Sequence, residues 1–156
     1  MENSTRSKLI LRILLTGLLT GTLDALAALA SNYKANPAII FEFIASGVFG
    51  KAAYAGGGTM VLWGLLFHYL IAFAFTTVFY LAYSFFYGVF GNKYLIAVEY
   101  GLITWFVMNI VVIPMSKIGP THFHIIPTVI GMAILIICIG MPVALIAARH
   151  HTTRNR

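Results

Sequence analysis

Charge is scarce in this chain. Lys, Arg, Asp and Glu together make up 9% of its 156 residues, and only four residues are acidic: Glu2, Asp24, Glu42 and Glu99. A soluble domain carries about a quarter charged residues, so a water-facing globular surface around one core is excluded. Cysteine is almost missing too. Cys138 stands alone in a hydrophobic run, which excludes an intramolecular disulfide and leaves a thiolate metal site without a sequence partner. No internal repeat or low-complexity tract is present. What remains is apolar: 60% of residues are hydrophobic and 14% aromatic, with fourteen glycines, the composition of helices whose rings anchor at the lipid boundary and whose small residues allow close approach.

Four runs are long enough for the roughly 20 helical residues that a bilayer requires. They cover about 9–30, 59–83, 94–115 and 125–148, within one domain, 1–156. The expected fold is all-α, an integral membrane bundle of four transmembrane helices with a short interfacial helix over about 37–50. Asn36 followed by Pro37 reads as an N-cap and first helical position. Ile40, Ile44 and Val48 repeat at fours, and the run is too interrupted to cross. On this helix Glu42 is placed on the wet side. Gly56, Gly57 and Gly58 form a turned entry to the second span, and the stretch SFFYGVFGNK after it reads as an apolar loop. The basic start and the ALA at 28–30 imitate a cleavable leader, but the apolar stretch is longer than a signal core and carries Arg12 and Asp24, so the first helix is expected to be retained.

The net charge of +6 comes from the tails and short loops. No basic patch interleaved with aromatics exists, so nucleic acid is not expected as a partner; the bilayer is. Arg6, Lys8 and Arg12 precede the first span, Lys93 joins the second to the third, and Arg149, Arg154 and Arg156 follow the fourth. The positive-inside rule then places both termini in the cytoplasm. His150 and His151 in the basic tail accompany anionic headgroups.

Polar residues inside the spans are the candidate sites. Counted at about 1.5 Å per residue, Asp24, His68 and Asn109 fall at one depth in the outer half of the membrane. A buried carboxylate needs to face the bundle interior and meet a donor, and His68 and Asn109 are the donors on offer. Two readings stand: a functional polar pocket, or polar glue holding three helices together. Gly17, Gly21, Asp24 and Ala28 share one face of the first span, and Gly64, His68 and Ala72 one face of the second; Gly17, Gly21 and Gly64 are therefore the expected packing positions. Arg12 and Glu99 lie at similar depths near the cytoplasmic boundary and form a candidate ion pair, the alternatives being snorkelling of Arg12 and a Glu99–Lys93 contact. Pro114 near the end of the third span, Pro120 in the loop and Pro127 in the first turn of the fourth span suggest a rigid connector. His122 and His124 flank Phe123 there and, with Glu42 and Ser46, make a candidate accessory pocket. An HxH without a nearby cysteine or further acid is a weak metal signal, and no metal or other cofactor is expected.

The stretches GLLTGTLDALAAL, IASGVFGKAAYAGG, GLLFHYLIAF and VMNIVVIPMS resemble a widespread family of small, uncharacterised bacterial inner-membrane proteins with four predicted helices. The resemblance spans about 15–147 and rests on Asp24, Ser46 and Gly47, Gly56 and Gly57, His68, and Asn109 with Pro114. It implies the fold and the location, and no reaction.

Three functions compete. The first is a membrane module that moves or senses a proton or small solute at Asp24, His68 and Asn109; at 17.1 kDa it would be expected to work as a homo-oligomer. The second is an accessory protein binding a membrane partner or lipid through its glycine faces. The third, an enzyme or haem carrier, lacks a nucleophile with a base and a set of ligands.

Overall fold

The computed structural model describes residues 2–154, with side chains over 6–149. Every regular element is a helix. Helix α1 runs Glu2–Ser31; α2, Pro37–Phe49, continues into a 3-10 turn, Gly50–Ala55; α3 is Gly57–Phe90. Helix α4 comprises Lys93–Phe106, a π segment Val107–Val112 and a last turn Ile113–Met115. Helix α5 comprises Ile125–Leu135, a π segment Ile136–Gly140 and Met141–Arg154. Five stretches are long and apolar enough to cross a membrane, the fifth being Pro37–Ala55, and the chain is a membrane-spanning helical bundle.

Local chemistry sets the boundaries. The Asn36 side chain accepts the Ala38 N–H at 3.0 Å, with Pro37 in the first turn of α2, as the sequence indicates. Asn92 caps α4 in the same way by accepting from Tyr94 N–H at 2.8 Å. Helix α3 does not stop near Tyr83. Residues 84–90 are all competent helix formers in an apolar setting, and termination waits for Gly91, whose left-handed backbone (φ 59°) lets its N–H bond the Tyr87 carbonyl. The expected loop is thus two further turns of helix, and α3 is about 51 Å long at 1.5 Å per residue.

Both π segments precede a proline. The N–H before Pro114 reaches back five residues, from Ile113 to the Met108 carbonyl, and the N–H before Pro142 does the same from Met141 to Ile136. A proline ring clashes with the carbonyl four residues earlier, and widening the turn by one residue relieves the clash. Pro114 sits near the end of α4, Pro120 in the connector and Pro127 in the first turn of α5, as the sequence indicates.

Helices α1 and α3 are antiparallel neighbours. Ring carbons of Phe73 and Tyr69 lie where a side chain on Gly17 or Gly21 would go. Thr16 shares a hydrogen bond with the Tyr80 hydroxyl at 3.1 Å and Thr22 one with Tyr69 at 2.9 Å, while Thr20 and Thr76 meet at 3.5 Å. Gly64 serves a different contact, its missing side chain making room for the Phe41 backbone of α2. The α4–α5 pair is closest at Gly101 and Gly140, where an added Cβ would meet the Ile136 backbone and the Ala97 carbonyl respectively.

Helix α2 packs across α3. Phe41 and Phe49, about 12 Å apart along α2, both meet the single turn 63–67 of α3: the Phe41 backbone covers Gly64, and the Phe49 ring lies 5.8 Å from Trp63 and 6.1 Å from Phe67. This crossing buries the Glu42, Ala45 and Ser46 face, and Glu42 is only 9% exposed. The wet-side placement of Glu42 is thereby corrected. Among lipids the small and polar face of a helix turns to protein and the Ile/Val face outward; Val48 is accordingly 49% exposed.

The bundle has one dense end and one hollow end. Phe79, Tyr83, Phe86, Ile96, Tyr100 and Val143 fill the end where α3 finishes and α4 begins, and Tyr100 donates its hydroxyl hydrogen to the Phe75 carbonyl at 2.5 Å. Toward the other end the helices separate around cavities.

Candidate functional site

Helix α1 delivers Asp24 to the hollow end because Thr16, Gly17, Thr20 and Gly21, the residues two turns below it, are all buried against α3. Helix α3 brings His68 one turn beyond Gly64, and the π segment of α4 carries Asn109. All three line one cavity of about 590 Å³ between α1, α2, α3, α4 and α5. The sequence-derived cluster is therefore brought together around a shared space.

Its internal bonding differs from expectation. His68 is buried and donates from Nε2 to the Gly21 carbonyl at 2.7 Å, and Asn109 donates from Nδ2 to the Trp105 carbonyl at 2.9 Å. Both bonds run to backbone oxygens, and no hydrogen bond joins either side chain to the carboxylate, although His68 lies within electrostatic reach of it. Among the described residues Asp24 has no hydrogen bond or ion pair. The reason is helix geometry: His68 projects onto α1 one turn below Asp24, and a carbonyl left beside the Gly21 notch is the nearest acceptor.

Asp24 also lines two further cavities. One, of about 520 Å³, lies between α1, α4, the connector and the start of α5, and His122, His124, Asn109, Asn32 and Thr121 share its wall. The other, of about 410 Å³, lies under α2, with His68 and Tyr54 among its lining residues. Three hollows thus meet at one carboxylate. Among the described residues no Lys or Arg lines any of them.

The remaining candidates separate. His122 and His124 are exposed on the connector and face Asp24's cavity. Glu42 and Ser46 belong to the α2–α3 contact and line none of these three cavities, so the four residues do not form one accessory pocket. Ser46 donates to the Phe43 carbonyl at 2.7 Å. Arg12 and Glu99 are each half-buried, and among the described residues no ion pair joins them. The side chains of His150 and His151 lie outside the described residues. No group of three or more His, Cys, Asp or Glu that could hold a metal ion occurs among the described residues.

Sequence reasoning missed the threonine ladder and the α4–α5 glycines. Thr16, Thr20 and Asp24 recur at fours on α1, as do Gly64, His68, Ala72 and Thr76 on α3, so the ladder had a signal. Gly101 and Gly140 are far apart in sequence and carry none. Compared with family models, curated proteins and solved structures, the chain has no match.

Proposed function

We propose that this is a four-span inner-membrane protein, with both termini cytoplasmic, that binds a proton or small solute at Asp24 in its hollow end. The observation that carries the reading is the position of the Asp24 carboxylate, without a hydrogen bond and at the meeting point of three cavities. A carboxylate used as structural glue would accept hydrogen bonds; here His68 ties α3 to the Gly21 carbonyl, Asn109 bonds within its own helix, and the acid accepts none. The four-span reading is supported by Tyr54, which follows α2 yet lines the same cavity as Asn32 and Ala35, which precede it. A helix whose two flanks return to one place lies along the membrane interface. The K/R asymmetry supports the orientation.

Infrared difference spectroscopy between alkaline and acidic buffer, on the full chain in nanodiscs, tests the site. Wild type is expected to show a protonated-carboxyl C=O band that Asp24→Asn lacks. Identical spectra for the two proteins would remove the proton-or-solute reading.

A further inference from the structure

The chamber behind Asp24 has walls that suit one class of solute, an inference that rests on the proton-or-solute reading. We propose that it takes a lipophilic ammonium ion, with a cationic N–H head on Asp24 and an apolar body held between α2, α3 and α4. At about 590 Å³ the chamber has the volume of a small-molecule site. Phe43, Ile44, Phe67, Ile71, Met108 and Leu135 supply apolar wall, and Asp24, His68 and Asn109 are among its few polar residues. His68 and Asn109 are occupied by the Gly21 and Trp105 carbonyls, so the carboxylate is the open group. An ionised carboxylate only accepts hydrogen bonds, and it repels an anion in a chamber that Lys and Arg do not line.

An inorganic cation fits poorly. Hard divalent ions take six or more oxygens, whereas this chamber offers one carboxylate and no metal-competent cluster among the described residues. A small hydrophilic solute would leave the apolar walls unused. The access geometry agrees with an amphiphile: Val48, Leu70 and Val112 border the chamber and are themselves 38% to 54% exposed, which opens it sideways to the bilayer. On its far side Asp24, with Asn109, also borders the vestibule containing Asn32, Thr121, His122 and His124. The head group thus stands between an apolar chamber and a polar exit.

Equilibrium dialysis of the full chain in nanodiscs, with empty nanodiscs as the blank, tests this with three probes that share one apolar body: naphthylmethylammonium, naphthylmethanol and naphthoate. The ammonium is expected to bind saturably, and Asp24→Asn to weaken it about tenfold or more, equivalent to about 1.4 kcal/mol. The alcohol and carboxylate are expected to bind more weakly and without response to Asp24→Asn. Met108→Trp, which narrows the chamber and leaves the acid in place, is expected to weaken the ammonium while keeping the Asp24 infrared band; it decides the matter if Asp24→Asn does not fold. Equal affinity for all three probes would mean bilayer partitioning or an acyl-chain site and would overturn the proposal, as would ammonium binding unchanged in both variants. Undifferentiated probes with the Asp24 band present defeat the ammonium assignment alone. Absence of the band defeats the underlying reading as well.

Discussion

Asp24 and His68 occupy one cavity yet answer to different constraints, and their variants should separate. His68 bridges α3 to the Gly21 carbonyl of α1, so His68→Ala is expected to cost about 0.6–2 kcal/mol, the range for an interhelical hydrogen bond in lipid. Asp24 accepts no such bond, and Asp24→Asn replaces a costly buried charge by an amide; it should leave stability unchanged or raised while abolishing the infrared band. Reversible unfolding in mixed micelles measures both. Glycine variants give a sharper contrast. A Cβ at Gly140 would run into the Ala97 carbonyl, whereas one at Gly88 meets nothing within 4 Å. Gly140→Ala should therefore lose about 1–3 kcal/mol to overpacking, and Gly88→Ala should gain up to about 1 kcal/mol from helix propensity. Equal effects in the same unfolding assay would contradict the close α4–α5 approach.

Helix starts were legible in the sequence because capping is local. Asn36–Pro37 signals the start of α2, and its cap is testable: Asn36→Ala should cost about 1 kcal/mol and speed amide exchange in α2 selectively, as mass-resolved hydrogen exchange would show. Exchange accelerated evenly through α1 and α3 would instead mean that α2 is held by its packing alone. Helix stops were less legible. The apolar aromatics of 84–90 carry no marker that separates loop from helix, and only the left-handed Gly91 decides. The π segments were missed for another reason. A proline inside a helix announces a break, but whether the chain ends or widens depends on neighbours: beside Pro142, Gly140 and Gly101 allow α4 and α5 to clamp the widened turn. The polarity of α2 inverted for a physical cause too, since its small and polar face, Glu42, Ala45 and Ser46, is buried and Ile39 and Val48 are exposed.

The site as a whole was readable to the level of which residues gather, because depth follows from counting and face from spacing. Their bonding was not readable, because a backbone carbonyl competes for every donor and leaves no trace in the sequence. At the scale of the entire chain, topology has a direct test. With Cys138→Ala as background, single cysteines at positions 33 and 54 should be labelled by an impermeant maleimide from the same, periplasmic side, and a reporter after residue 156 should be cytoplasmic. Opposite-side labelling of 33 and 54 would make α2 a fifth span. Helix α3 bears on how the molecule sits in its membrane. At about 51 Å it overshoots the hydrocarbon, and lying within a full bilayer of about 40–45 Å would require a lean of roughly 30°, inside the natural range of tilts. The phenylalanines and tyrosines of 83–90 would then rest among headgroups as a belt on the side away from the cavities. Thinner bilayers should increase the lean and swing the hollow end relative to the surface, so bilayer thickness becomes a variable that acts on the site without touching it.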